Sequence, residues 1–276
     1  MNHVLQNLMH LTVRLECRAK DGRTSVGTGF HYKFWQRENN YYPVIITNKH
    51  VAENRDQIKF KLSVAAKDNS NDIKLHEFII MVPNEKFIML HPDPSVDLCA
   101  IPLGQSLNTF DTIAPNTNVI FSELSRNEIA DPKFLNDLNP AENILMVGYP
   151  NGLWDSVNNK PLFRTGITAT HVKYDYNGRK EFIIDAGCFP GSSGSPIFLS
   201  SNGMYAEGED MVLGYRFKFL GILYARPQHQ VKGNIIIDAP FVHSPVSITN
   251  IPTNLGYAIK AERISEIEDY FKMGQV

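Results

Sequence analysis

Gly191-Ser192-Ser193-Gly194-Ser195-Pro196 places a serine inside a glycine-rich turn, and an apolar segment follows directly. Small residues on both sides of Ser193 let the backbone turn tightly, so that its hydroxyl is exposed and nearby N–H groups converge on one point. Acyl transfer by a serine needs this arrangement, because the oxyanion must be stabilised where it forms. A solvated Gly/Ser turn is the alternative interpretation, so the stretch must be weighed together with two others.

Two upstream segments supply the other residue types that a serine nucleophile needs. The β-branched run Ile45-Ile46-Thr47-Asn48-Lys49-His50 ends in a histidine, and Asp97 leads into an alternating apolar strand. Each has an ordinary explanation by itself, as a surface or core histidine and as a turn or cap aspartate. Together they give the chain order His50, Asp97, Ser193. This is the order of the chymotrypsin-like triad, not that of subtilisin or the α/β-hydrolases.

Further motifs occur in a consistent order between about Val13 and Ile259. They are Gly27-Thr28-Gly29-Phe30, Thr47-Asn48-Lys49-His50-Val51, Asp97-Leu98-Cys99-Ala100, Gly148-Tyr149-Pro150, Gly166-Ile167-Thr168-Ala169, Asp185-Ala186 and Gly256-Tyr257-Ala258-Ile259. In this order the chain resembles the trypsin-like serine proteases of the bacterial type, such as the high-temperature-requirement proteases and the glutamyl endopeptidases. The resemblance covers nearly the whole chain.

The expected fold is all-β. Many short apolar or alternating segments, separated by polar turn clusters, predict an antiparallel protein. The resemblance implies two six-stranded antiparallel β-barrels (chymotrypsin-like) with a C-terminal helix. We expect one peptidase domain with a first barrel at 1–115, a second at 116–260 and a helix at 261–276. The site would lie in the crevice between the barrels, where ligand clefts are common.

Three departures from a minimal double barrel are expected. Residues 122–143 combine helix-forming residues with two prolines and predict a helical insertion, residues 200–210 a hairpin extension, and residues 226–254 a long loop. The tail carries Ile264, Ile267 and Phe271 at helical spacing. It therefore predicts a helix, which we expect to pack on the second barrel.

Composition excludes several function classes. A formal net charge of −2 and a pI near 6.5 give no general attraction to nucleic acid or to an anionic membrane. The first residues lack a signal-peptide pattern, and no run approaches about 18 apolar residues. Cys17, Cys99 and Cys188 are an odd number without metal-ligand spacing, which favours buried thiols in a reducing cytoplasm. We expect a protein or peptide substrate and no cofactor or metal.

The roles follow from the chemistry of acyl transfer. His50 would remove the proton of Ser193 and later return it to the leaving amine. Asp97 would accept the other ring N–H of the histidine and stabilise the imidazolium. The backbone N–H groups of Gly191 and Ser193 would form the oxyanion hole.

By resemblance, the substrate pocket is walled by two segments. Its residues are Gly187, Cys188, Phe189 and Pro190 on one side and Leu223, Tyr224 and Ala225 on the other. The trypsin-type pocket has an aspartate where this chain has Gly187, and the substrate-binding strand lacks the histidine of the glutamyl endopeptidases. We therefore predict cleavage after small or apolar residues and poor cleavage after Lys, Arg or Glu. The alternative is a charge from the long loop, such as His229, Asp238 or His243.

Two further expectations concern regulation and the competing functions. The residue before Ser193 is a serine, so the resemblance implies control by loop ordering or by a partner protein rather than by a buried N-terminus. A catalytically silent protease-fold binding or scaffold protein is the alternative function. An α/β-hydrolase esterase does not fit, because residues 191–195 read G-x-S-x-S and the order of the three residues is wrong.

Overall fold

The computed structural model describes residues 2–38, 40–84, 86–207, 210–226, 228–234 and 246–273. Strands dominate the described chain. They are β1 (Thr12–Arg18), β2 (Thr24–Arg37), β3 (Asn40–Thr47), β4 (Gln57–Ala66), β5 (Asn69–Met81), β6 (Met89–Leu90), β7 (Cys99–Pro102), β8 (Thr117–Ile120), β9 (Asn143–Gly148), β10 (Leu162–Thr168), β11 (Glu181–Asp185), β12 (Pro196–Glu207), β13 (Asp210–Ala225), β14 (Gln228–Asn234), β15 (Val246–Pro252) and β16 (Leu255–Lys260). The helices are α1 (Asn2–Leu8), α2 (Lys49–Ala52), α3 (Gly104–Ile113), α4 (Pro132–Asn136) and α5 (Arg263–Met273).

The N-terminal half is one antiparallel sheet. Its strands follow the order β5-β4-β1-β2-β3-β7-β6, and β8 pairs with β4 beside this path. Alternating side chains of β1, β3 and β4, among them Leu15, Ile45 and Ile58, are buried in one cluster. This alternation is what a strand with one face toward a core requires.

The C-terminal half is a closed six-stranded antiparallel barrel. Its strands follow the order β10-β11-β16-β13-β12-β9. Inward-facing residues such as Ile144, Met146, Ile184 and Ile197 fill its interior. The long β12–β13 hairpin continues to the pair Glu207–Asp210, which is the predicted extension, and β14 and β15 form a separate two-stranded sheet.

The predicted fold class is confirmed, with a larger first half than expected. The N-terminal sheet carries eight strands where six were expected, and β8 belongs to it although it follows residue 115. The domain division at 115/116 stays a prediction. The insertion at 122–143 contains a 3-10 turn at Arg126–Glu128 and the short helix α4. The helix α3 was not predicted from the sequence, and Phe110 is its one buried residue.

The predicted C-terminal helix is present, but it does not pack on the second barrel alone. Ile264 and Ile267 are buried in a cluster that contains Phe34 of β2 as well as Phe219 of β13. The backbone N–H of Trp35 donates to Oε1 of Glu268 at 2.6 Å, and its indole N–H donates to the Glu268 carbonyl at 2.8 Å. The helix therefore joins the two halves. Helical periodicity identifies an apolar face but not the surface that covers it.

Two general features bear on function. Within the described ranges, no helix has the length and apolarity needed to cross a membrane. In the same part of the chain, no cluster of three or more His, Cys, Asp or Glu side chains is placed to hold a metal ion.

Candidate active site

His50 and Asp97 lie together in the N-terminal half. Nδ1 of His50 is 2.5 Å from Oδ2 of Asp97, and the backbone N–H of His50 donates to Oδ1 at 3.0 Å. A carboxylate can only accept, so Nδ1 carries the proton and Nε2 is left as an acceptor. The imidazole is half exposed at 49%, whereas the carboxylate is 23% exposed. The ring is thus fixed in a tautomer that can accept a proton at Nε2.

The two residues that precede His50, Asn48 and Lys49, hold the loop that ends at Asp97. Nδ2 of Asn48 donates to the Asp97 carbonyl at 2.8 Å. The buried ammonium of Lys49 donates to the carbonyls of His91 at 3.2 Å and Asp93 at 3.1 Å. The motif Thr47-Asn48-Lys49-His50 therefore places the aspartate as well as the histidine.

Ser193 lies in a turn fixed by its own backbone and by β13. The N–H of Ser192 donates to the Phe189 carbonyl at 3.1 Å, and Gly191 has φ of +85°. Proline and a positive-φ glycine at the two central positions are typical of a type II turn, and only glycine adopts this φ without strain. The N–H of Gly194 donates to the Leu223 carbonyl at 2.8 Å. The loop is therefore attached to β13, the strand that pairs with β12.

Residues 190–195 form the serine loop. Within it, two N–H groups have no acceptor among the described residues: those of Gly191 and Ser193. The carbonyl of Pro190 accepts from the N–H of Asn151, and the peptide bond is trans. Because C=O and N–H point in opposite directions across a trans peptide, the Gly191 N–H faces away from Asn151. Unbonded donors of this kind can stabilise a negatively charged oxygen.

The serine loop is tied to the N-terminal half through Thr28 of β2. The backbone N–H of Thr28 donates to the Ser193 carbonyl at 2.8 Å, and its hydroxyl donates to the Gly191 carbonyl at 2.9 Å. The hydroxyl of Thr47, three residues before His50, donates to the Thr28 carbonyl at 2.7 Å. One short network thus connects the loop to the strand that leads into the histidine.

No hydrogen bond of 3.5 Å or less joins Ser193 Oγ to His50 Nε2 in this structure. Ser193 is partly exposed, and its hydroxyl has no partner among the residues that the structure describes. Ser192 and Ser195 are buried, and Oγ of Ser195 donates to Oγ1 of Thr28 at 3.3 Å. Such a histidine–serine bond is often long before substrate binds.

His91, the other histidine near Asp97, faces the C-terminal helix. Its Nδ1 accepts from the backbone N–H of Asp93 at 3.0 Å, and its Nε2 lies 3.4 Å from Oε2 of Glu266. Burial is the main cause that lowers the pKa of His91. These contacts hold His91 between the loop before Asp97 and the helix α5.

The predicted pocket residues have different surroundings in the structure. Leu223 packs with Cys188 inside the barrel, whereas the Tyr224 hydroxyl donates to Oε2 of Glu181 at 2.9 Å. Phe189 and Gly187 lie against Arg164 of β10. Sequence reasoning missed Arg164, because nothing near it in the sequence marks a site. Pro190 and Ala225 are the exposed and half-buried neighbours of these residues.

Three loop residues were named above as alternative sources of a pocket charge. Asp238 and His243 lie outside the described residues, and His229 lies in β14. The sequence analysis did not consider Arg164, which strand pairing brings to Gly187. Cleavage after small or apolar residues stays a prediction.

The three cysteines are free and buried. Burial raises the pKa of Cys17 to about 12 and that of Cys188 to about 11, and it also raises the pKa of Cys99. These thiols therefore stay protonated and act as small apolar residues, as the sequence predicts.

A large cavity lies away from these residues. It has a volume of about 1160 Å³ and is lined by side chains of β5, α3 and α5, including Phe78, Phe110 and Phe271. His50, Asp97 and Ser193 are not among its lining residues. The cavity is therefore separate from the candidate active site.

Comparison with protein families gives one match, to the family described as trypsin-like peptidase domain, over residues 27–206. No curated protein matches the chain. Residues 27–206 include the Thr28 network, His50, Asp97 and the whole serine loop.

Several solved structures are similar at low identity. The active form of the Rv3671c protease from M. tuberculosis is 15% identical, with a TM-score of 0.47 over 96% of this chain and 82% of that one. The HtrA-type protease AlgW with a tripeptide is 15% identical, with a TM-score of 0.49; the match covers 100% of this chain and 64% of that one. Deg5 is 13% identical, with a TM-score of 0.45 over 81% of this chain and 83% of the other.

Proposed function

Because the chain belongs to the trypsin-like peptidase family and is a serine protease, we propose that His50, Asp97 and Ser193 form its catalytic triad. The protein would hydrolyse peptide bonds through an acyl-enzyme intermediate. The observation that carries this proposal is the serine loop, in which two unbonded N–H groups flank a partly exposed hydroxyl.

The choice of Ser193 over its neighbours rests on burial. Ser192 and Ser195 are 0% and 1% exposed, so a substrate carbonyl cannot reach their hydroxyls. Oγ of Ser195 already donates to Thr28. Ser193 is the serine of this loop that a substrate can approach.

The choice of His50 as the base rests on its tautomer. Asp97 accepts a hydrogen bond from Nδ1–H, so Nε2 is free to take the hydroxyl proton of Ser193. As Oγ attacks the carbonyl carbon, the carbonyl electrons move to the oxygen, and the N–H groups of Gly191 and Ser193 stabilise the resulting charge. His50 then returns the proton to the leaving amine, and a water molecule, activated in the same way, hydrolyses the ester.

The finer parts of the function are proposals too. The sequence favours small or apolar residues before the cleaved bond. Arg164 lies beside residues 187–190, the pocket loop, and this position favours acidic residues instead. The direction of the Gly191 N–H depends on one hydrogen bond, which the N–H of Asn151 donates to the Pro190 carbonyl. This dependence supports control by loop ordering. A reducing compartment such as the cytoplasm is supported by the three free, buried cysteines.

A fluorophosphonate probe tests the nucleophile directly. We expect the wild type to be labelled, Ser193→Ala to lose all labelling, and Ser192→Ala to keep it as the matched control. Labelling that persists in Ser193→Ala and disappears in Ser195→Ala would contradict the assignment.

The same experiments test the alternative that the sequence left open, a catalytically silent binding or scaffold protein. It predicts no labelling of the wild type and no turnover of a peptide library, with peptide binding that is unchanged in Ser193→Ala. The endopeptidase predicts new peptide termini in the library with wild type and none with Ser193→Ala.

A further inference from the structure

Arg164 occupies the place of a side chain at the base of the proposed pocket. A Cβ built on Gly187 would overlap Nη2 of Arg164. Cζ of Arg164 also lies 4.8 Å from the centre of the Phe189 ring, within the range of a cation–π contact. The guanidinium therefore lies between two residues of the loop that leads to Ser193.

Strand pairing explains how Arg164 reaches this loop. β10 runs antiparallel to β11, with Ile167 opposite Asp185. Residues before Ile167 consequently lie beside residues after Asp185, which are those of the pocket loop. The absence of a side chain at position 187 leaves room for the guanidinium.

The charge of Arg164 has no anionic partner in the described part of the chain. No Asp or Glu oxygen there lies within 4.0 Å of it, and Nε of this half-buried side chain is buried without a hydrogen-bond partner. The Phe189 ring supplies no hydrogen-bond acceptor, and a buried donor without a partner is costly. A carboxylate bound beside the loop would supply the acceptor that this buried N–H lacks.

Two cations and one carboxylate lie around Cys188 in this loop. Arg164 and Arg226 both act to lower the pKa of Cys188, while Asp185 acts to raise it and burial outweighs all three. Asp185 itself is exposed. The field at the pocket loop is thus set by two cations against one solvated carboxylate, which favours an anionic side chain.

We propose that Arg164 is a specificity-determining residue that selects glutamate or aspartate at the substrate position whose carbonyl is attacked. This inference rests on the proposed function, because the pocket is defined by its place beside the nucleophile Ser193. It replaces the preference for small or apolar residues, since the sequence did not reveal the cation.

The test compares matched fluorogenic peptides that differ only at that position, with Glu, Asp, Gln, Leu or Lys. We expect the wild type to cleave after Glu or Asp most rapidly. Arg164→Met should lose about 30-fold or more of kcat/KM for the acidic peptide. Its kcat/KM for the Leu peptide should change little. Arg164→Lys retains the cation and should keep part of the preference.

Two controls separate this proposal from the catalytic one. The rate of fluorophosphonate labelling should be the same in wild type and Arg164→Met, because the probe carries no acidic side chain. Binding of the Glu and Gln peptides to the full-length Ser193→Ala protein measures selection without catalysis. Should the wild type not be labelled, the catalytic proposal fails while this binding comparison still decides the role of Arg164.

Two results would overturn the inference. One is a wild type that prefers Leu or Lys, with no preference for Glu over Gln in binding to Ser193→Ala. The other is an acidic preference that survives unchanged in both Arg164→Met and Arg164→Lys, with thermal unfolding confirming that the variants are folded.

Discussion

The hydroxyl of Thr28, in the N-terminal sheet, donates a hydrogen bond of 2.9 Å to the carbonyl oxygen of Gly191, in the serine loop of the C-terminal barrel. The same hydroxyl accepts from the backbone N–H of Tyr149 at 3.2 Å. Thr28 is fully buried, so water cannot replace either bond. One side chain of the first half therefore sets the orientation of a peptide unit in the second.

Replacing this hydroxyl should slow the reaction. In Thr28→Val the Gly191 carbonyl and the Tyr149 N–H lose their partner, at a cost of about 1–3 kcal/mol. We expect kcat/KM to fall by about five- to 100-fold, whereas Thr28→Ser should stay close to wild type. Labelling rates with the fluorophosphonate, measured well below the unfolding temperature, check this. Equal rates in the valine and serine variants would remove Thr28 from the positioning of the loop.

His50 and His91 should differ sharply in their effect on catalysis. His50→Ala removes the proposed base, and kcat should fall by about 10⁶-fold. His91→Asn should retain most of the activity, because His91 contacts Asp93 and Glu266 rather than the serine loop. Steady-state rates on one peptide substrate decide between them. A large loss in the His91 variant together with an active His50 variant would reverse the assignment.

His31 should make the protein less stable at acidic pH. It is fully buried next to Phe121, its ring nitrogens have no partner among the described residues, and burial lowers its pKa to about 3. The unfolded chain binds a proton near the ordinary pKa of 6.5, while the folded chain does not. The stability from neutral His31 is therefore present above pH 6.5 and is lost as pH falls toward 3.

The matched variant for this prediction is His31→Leu. Between pH 6.5 and pH 4, the wild type should lose about 1 kcal/mol per pH unit more unfolding free energy than the variant. Urea unfolding at several pH values measures the two slopes. Parallel curves would mean that His31 is not the group that titrates.

The buried ion pair between Glu142 and Arg216 should matter for stability. Nη2 of Arg216 lies 2.6 Å from Oε2 of Glu142, and both side chains are less than a tenth exposed. Arg216→Met leaves the carboxylate buried without its partner, which typically costs about 3–5 kcal/mol. The double variant with Glu142→Gln should recover part of this loss, since no charge is then left buried.

Arg23→Met is the exposed control for that pair. Arg23 and Asp21 form an ion pair in which both side chains are largely in water, so its removal should change the unfolding free energy very little. Denaturant unfolding of the wild type, Arg216→Met, the double variant and Arg23→Met compares the two ion pairs directly. An Arg216→Met protein as stable as the wild type would show that Glu142 is solvated or protonated in the fold.

Much of the architecture was predictable because it depends on local patterns. Alternating apolar residues and polar turn clusters indicate strands whatever their partners are, and most of the described strands agree with them. The paired strands β14 and β15 correct the prediction of a long loop at 226–254. The helix α3 was missed because it is short and buries only Phe110, so its sequence is mostly polar and is also compatible with a loop. The surface against which α5 packs was also beyond the sequence, because an apolar face can be covered by either half.

The sequence by itself determined the all-β class, the order His50, Asp97, Ser193 and the glycine turn around the serine. These follow from residue types and from spacing along the chain, and tight turns depend on a few neighbouring residues. Only the tertiary structure decided which serine of the loop is accessible and which charge stands beside Gly187. Packing of the two halves brings Thr28 to Gly191, and strand register brings Arg164 to Gly187. Register is fixed by burial of whole sheet faces, and no short motif encodes it.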